Sequence, residues 1–364
     1  MKAIYPRLIQ VYTDLYFLKI FFTELRDLAI TCTDEKAKIW HNFFQFLLKG
    51  PIELISLQTG RKIQKTDIIH LFDIPGYATA LQEELNITPE NYVYPPNYDF
   101  HYIKAPYAII LANWENELIK QLTSKFGMPF INPDTFFEKW KKFSFEGLIR
   151  NIDLKTEPKK PGETYKPPFD VWEEFSNFSH TCHSAIIVDP MISTWILQTF
   201  ALNILPLIKN FIPNDYATHI TLIYLEKSTQ SKDRRIHTEE IYEFLKSKFP
   251  HFDFSVVCFL PYLFDVDTEV RIQQILEERF IATPLLSVSS PNSLDLYRGG
   301  YTGVSFINKS ILLNFHPILD FQGNYLESSL QKLENYRELI ELREIHPEKV
   351  IVFGEPEKNK LLYL

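Results

Sequence analysis

"SAIIVDPMISTWILQTFALNILPLIKNF", residues 184–211, decides the fold. Its first five residues carry no charge and are mostly β-branched, the pattern of a strand covered on both faces. Asp189-Pro190 ends that run, and "STWILQTFALNILPLIKNF" reads as a helix that Pro206 is expected to kink. A buried strand followed by an apolar helix is the unit from which parallel sheets are made.

The alternation continues downstream. "THITLIYLEK" (218–227) and "DFSVVCFLPYL" (253–263) read as strands, with "HTEEIYEFLKSKF" (237–249) as the helix between them. "RFIATPLLSVSS" (279–290) is expected as one further strand, followed by "GVSFINKSILLNF" (303–315). "LESSLQKLENYRELIELREI" (326–345) reads as a last helix, and "KVIVFGE" (349–355) as a final or edge strand. The C-terminal half is therefore an α/β domain with a mixed or partly parallel sheet flanked by helices.

Upstream the signals are mainly helical. Leu15, Leu18, Phe22 and Leu25 fall on one helical stripe. A second helix over "AKIWHNFFQFLLK" (37–49) is capped by Thr33 or Asp34 and stopped by Gly50-Pro51. "TDIIHLF", "ATALQEELN", "ANWENELIKQLTSKFG" and the segment after Asn132 or Asp134 add more helix, whereas "NYVYPPNYDFHYIKAPYAIIL" (91–111) suits extended or irregular chain. Residues 153–170, rich in proline and lysine, have the composition of an exposed linker. The expected organisation is a mostly helical domain over 1–152, a linker over 153–170 and an α/β domain over 171–364. No repeat of fixed period is evident.

Hydrophobic residues make up 45% of the chain and aromatics 15%, enough apolar surface to require packed cores. The formal net charge of -8 argues against coating nucleic acid by bulk charge, so nucleic acid is expected only through a partner or a small basic patch. Cys32, Cys182 and Cys258 lie far apart, which disfavours a disulfide framework or a zinc ribbon and suits a reducing cytoplasm. Asp14, Lys19, Glu24 and Arg26 interrupt the apolar N-terminal stretch, so a membrane span or a signal peptide is not expected there.

Three segments are candidates for chemistry. In "HTCHSAIIVDP" (180–190), Asp189 stands at the carboxyl end of a strand, where open α/β sheets bind ligands, although an Asx turn is the favoured account of Asp-Pro. His180, Cys182 and His183 lack a second cluster to complete a metal site and are expected as a solvated segment. In "KDRRIHTEEIYEFLK" (232–246), Lys232, Arg234, Arg235 and His237 precede a helix, but Glu239 and Glu240 already satisfy its N-terminus.

The third segment is "ILEERFIATPLLSVSSPNSLDLYRGG" (275–300). Together with "SAIIVDPMI", "HITLIYLEK" and "FSVVCFLPYL" it resembles the phospholipase D-like fold, in the branch similar to the C-terminal domain of MIT-domain proteins. That branch has a strand ending in Asp-Pro, a His-Asp-Arg strand start, a threonine, and a Gly-rich turn closing in Asp and an aromatic. The matching positions are Asp189, Glu277-Glu278-Arg279, Thr283, and Asp295 with Tyr297, so binding residues are expected among Asp189, His237, Glu277, Arg279, Thr283 and Asp295. Phospholipase D enzymes use a His-x-Lys histidine as nucleophile. Here Glu277 stands in its place, and a carboxylate repels a phosphodiester. The expected pairing for Arg279 is with Glu277 on one strand face.

Two functions follow from these expectations. The first is a non-catalytic interaction or scaffold subunit, with a degenerate phospholipase D-like domain and a protein partner; the resemblance implies a bacterial multi-protein system, such as genome defence. Glycine scarcity supports it, since 11 glycines and no GxGxxG leave little to cradle phosphates or a cofactor. The second is a metal-dependent nuclease or phosphodiesterase in which Asp189, Asp265, Asp267 and Glu277 hold a divalent ion. Neither requires a cofactor.

Overall fold

The computed structural model describes residues 9–32, 34–74, 76–85, 100–103, 105–145, 151–155, 170–213, 216–226, 237–300, 303–306, 310–320 and 325–362. Two compact units emerge, one formed by residues 1–146 with 318–326, the other by 147–317 with 327–363.

The first unit is also α/β. Strands β1 (Ile9–Thr13), β2 (Ile52–Ser56), β3 (Lys62–Ile63), β4 (Ala108–Leu111) and β5 (Phe130–Ile131) form one sheet in the order β3-β2-β1-β4-β5. β2, β1, β4 and β5 run parallel, and β3 closes one edge antiparallel to β2. Its helices are α1 (Leu15–Ile20), α2 (Arg26–Cys32), α3 (Asp34–Lys49), α4 (Lys65–Asp73), α5 (Tyr77–Glu84), α6 (Asn116–Phe126) and α7 (Phe136–Ser144), so a mostly parallel sheet joins the helices that sequence alone predicts. Of the sheet that organises them only β4 falls in a segment expected as extended chain (91–111); the other strands lie outside the sequence expectation, since they are short and have few of the alternating signatures that announce a strand.

A π-helical turn, Phe21–Leu25, joins α1 to α2. Besides the expected stripe, Phe17 and Phe21 are fully buried. Phe21 stacks on Trp40 at 5.1 Å and meets Phe43 and Phe136 edge-on, so the aromatic excess is largely core. Gly50 ends α3 as expected: a Cβ there would lie 2.5 Å from the Phe46 carbonyl oxygen. Thr33, the alternative cap, lies outside the described residues.

The second unit holds an eight-stranded mixed sheet. Its strands are β6 (Asn151–Lys155), β7 (Ser184–Val188), β8 (His219–Leu225), β9 (Asp253–Phe259), β10 (Arg279–Ala282), β11 (Leu286–Ser290), β14 (Ser310–Pro317) and β15 (Val350–Gly354). Their order is β15-β9-β8-β7-β10-β11-β14-β6, while β12 (Tyr297–Gly300) and β13 (Gly303–Phe306) form a separate hairpin. β7, β8 and β9 are parallel; the other pairings in the sheet are antiparallel. The helices are α8 (Asp170–Glu173), α9 (Leu197–Phe211, with Pro206 inside it), α10 (Thr238–Lys248), α11 (Val266–Leu276) and α12 (Tyr325–Glu341). β15 is an edge strand, as its sequence suggested. Asp153, Leu154 and Lys155, placed by composition in a linker, pair with β14; residues 156–169 lie outside the described residues. Among the described residues no helix is long and apolar enough to cross a membrane.

"RFIATPLLSVSS" is two strands rather than one. Pro284 has no N–H for a ladder, and Thr283 closes the turn around it: its N–H donates to Leu286 O at 2.9 Å, and its Oγ1 accepts from Leu286 N at 3.1 Å.

A polar cluster is buried within this sheet. Thr221 Oγ1 lies 2.8 Å from Ser255 Oγ, and His219 Nε2 lies 3.1 Å from the same hydroxyl. Asn359, fully buried, reaches across them from the C-terminal segment. Burial lowers the His219 imidazole to about 4, outweighing the opposite pull of Asp253. The folded state therefore binds this proton more weakly than the unfolded state, so stability is full above the ordinary imidazole value and falls as pH drops toward the folded one. Between about pH 7.5 and about pH 5 the second unit should lose roughly 2 kcal/mol. Urea midpoints at the two pH values for the wild type and His219→Gln check this; equal pH dependence in the two proteins would refute it.

Candidate functional site

The chain lays down β7, β8 and β9 side by side in one direction, and α11 then returns it to the other flank of β7, where β10 pairs antiparallel. Strand order reverses at that point, and α/β sheets leave a crevice there beyond the carboxyl ends of their strands. A cleft of about 480 Å³ occupies the position. Pro190 follows β7, Leu225 ends β8, Pro261 and Tyr262 follow β9, one face of α11 supplies Glu269, Val270, Gln273 and Gln274, and Glu277 caps that helix. Arg279, the first residue of β10, completes the wall.

Asp189 lies behind this cleft and is completely buried. One carboxylate oxygen accepts the Met191 N–H at 2.8 Å, which is the Asx turn that Asp-Pro announces. The other accepts Ser293 Oγ at 2.9 Å and the Leu294 N–H at 2.7 Å, tying the loop after β11 to the end of β7. Burial pushes this carboxyl above its ordinary range, while the three donors and Arg279 pull it back. Its role is a bracket between two chain segments 104 residues apart in sequence.

Arg279 departs from its expected pairing. Its Nη1 donates to the backbone carbonyls of Glu277 at 2.9 Å and Pro291 at 3.2 Å, and its Nε approaches Asp189 at 4.0 Å. The Glu277 carboxylate is left to the cleft, because Glu277 follows the last turn of α11 instead of starting a strand. Glu278 turns the other way and accepts from Lys332 of α12.

The other expected site residues are scattered. Thr283 lies beyond the far end of β10, about 13 Å from Arg279 at strand rise. There its Oγ1 donates to the Leu286 carbonyl at 3.0 Å and lies 2.7 Å from His180 Nε2, while His180 Nδ1 donates to the Phe178 carbonyl. Asp295 is buried in the loop after Leu294. His237 is exposed at the start of α10, its backbone N–H 3.5 Å from the Glu240 carboxylate, and it does not line the cleft. Lys232, Arg234 and Arg235 lie outside the described residues, as do the side chains of β12, Tyr297 among them.

His180, Cys182 and His183, expected in solvent, are buried. They fill the amino end of β7, where Cys182 Sγ donates to Ser184 O and His183 Nδ1 meets Ser184 Oγ. Asp265 is the N-cap of α11, and bonds from Thr268 N and Oγ1 hold its carboxyl below the usual range. Among the described residues no group of three His, Cys, Asp or Glu is placed to hold a metal ion.

The cleft-facing residues that sequence reasoning missed are Tyr262, Glu269, Val270, Gln273 and Gln274. The helical spacing of Glu269, Gln273 and Glu277 was the available signal, since it marks one polar stripe of α11 that no core requires. Comparison with protein-family models and with curated proteins returns no match to this chain.

Proposed function

We propose that the chain is a non-catalytic interaction subunit, holding a protein partner in the cleft beyond β7, β8 and β9. It keeps a phospholipase D-like scaffold that has lost its nucleophile, and it works within a bacterial multi-protein system such as genome defence. The observation that carries the reading is the division of labour around Asp189. The buried carboxylate is engaged by three internal donors, whereas the cleft displays carboxamides, a phenol, an arginine, two glutamates and apolar floor groups. Such a lining, half apolar and half polar or charged, suits recognition of a partner that offers both kinds of group.

Glu269 and Glu277 are eight residues apart on or beside one helix, so both stand on the stripe that lines the cleft. The metal-dependent alternative loses two of its four ligands, since Asp189 and Asp265 are committed to local bonds.

The test fills the cleft with Val270→Trp, a substitution at a 44% exposed helix position that leaves the core untouched. Partner binding should be lost while thermal stability is retained. Metal-dependent cleavage of a phosphodiester by the wild type, lost in Glu277→Gln, would overturn the reading.

A further inference from the structure

Resting on that reading, we infer that the cleft takes an extended segment of a partner polypeptide and receives one of its basic side chains between Glu269 and Glu277. Charge is the first argument. Two glutamates line the cleft against one arginine, and that arginine already faces buried Asp189 and has two carbonyls on its Nη1. Whether Asp189 is ionised or protonated, the carboxylates outnumber the cations, so the cleft attracts a positive group and opposes an anion.

The second argument is shape. The cleft-lining residues of α11 and its cap run from Glu269 to Glu277, about 12 Å at helical rise, matching roughly four residues of extended chain. Val270, 44% exposed, lines the cleft, and Val266, 74% exposed, lies one turn before it on the same helix face, so exposed apolar groups adjoin the acidic residues. Gln273 and Gln274 stand between the glutamates in sequence with side-chain amides that suit a peptide backbone, and Gln273 donates to Glu269 at 2.9 Å, fixing that carboxylate on the cleft-lining stripe. A compact cation would use the carboxylates and ignore the apolar groups. A chain alternating apolar and basic residues uses both.

The experiment measures fluorescence anisotropy of labelled hexapeptides with the full chain at low salt. One alternates leucine and arginine, a second replaces arginine by neutral citrulline, and a third by glutamate; spermine is the competitor. The arginine peptide should bind at least about ten-fold more tightly than the citrulline peptide, as expected for about 1.4 kcal/mol from a charge pair at a partly desolvated site. Glu277→Gln and Glu269→Gln should each remove most of that difference, and equimolar spermine should not displace the peptide. Equal binding of the arginine and citrulline peptides, both abolished by Val270→Trp, would overturn the basic-chain inference and leave the interaction reading standing. Displacement by equimolar spermine would replace the polypeptide with a small cation. Binding indifferent to Val270→Trp would overturn both.

Discussion

Asp189→Ala is expected to lower the stability of the second unit by about 3–5 kcal/mol, the range for removing one partner of a buried charged network. Three donors, the N–H groups of Met191 and Leu294 and the Ser293 hydroxyl, lose their acceptor at once, and Arg279 loses the carboxylate behind it. Asp189→Asn is the informative companion. Both carboxylate oxygens accept from backbone N–H groups, so whichever way an amide is turned, its NH₂ faces a donor, and the variant should still lose about 2 kcal/mol. For a unit of this size the alanine variant should melt roughly 10 °C lower. Calorimetry of the three proteins decides it; melting within about 2 °C of wild type for Asp189→Ala would remove the bracket role, since a buried network of this kind cannot be lost silently.

The second large effect is at the opposite end of the sheet. Asn359 donates through Nδ2 to Ala185 O at 2.9 Å, Thr221 Oγ1 at 2.9 Å and, more weakly, His219 O at 3.4 Å, and its Oδ1 accepts the Leu361 N–H at 3.0 Å. Lys360 N donates to Ser184 Oγ, and Leu361 and Leu362 are buried beside it, so one amide anchors the last segment of the unit onto β7 and β8. Asn359→Ala should cost about 3 kcal/mol, from lost hydrogen bonds and an unsatisfied buried carbonyl. Asn359→Asp should be no better, because it sets a carboxylate oxygen against the Ala185 carbonyl. Urea denaturation measures both, and an Asp variant as stable as wild type would refute the donor role. Asn359 lies at the amino ends of strands whose carboxyl ends carry the cleft, so peptide binding by the folded variant should be unchanged.

What could be read from sequence divides along physical lines. The long, uncharged runs that became β7, β8 and β9 were legible because strands covered on both faces leave continuous apolar stretches. The first unit's sheet was not, because Phe130–Ile131 and Lys62–Ile63 are two-residue strands whose pairing only tertiary structure specifies. Asp189 was found by its place at a strand end, but its task was not, since its partners Ser293 and Leu294 are brought to it by the return of β10 and β11. Arg279 paired by proximity in sequence with Glu277; three-dimensional structure gave it carbonyls and Asp189 instead. The cleft residues of α11 were readable as a polar stripe, yet nothing in one sequence says that a stripe faces a cavity rather than bulk water.

We propose the α11 face as a recognition surface with Asp189 as its structural support. The most direct measurement is selection of random displayed peptides on the full chain, followed by the Kd of the winners for the wild type and for Val270→Trp. We expect winners whose affinity falls at least about ten-fold, close to 1.4 kcal/mol, in a Val270→Trp protein of unchanged melting temperature. Winners that bind both proteins equally would show that the cleft is not where this chain meets its partner.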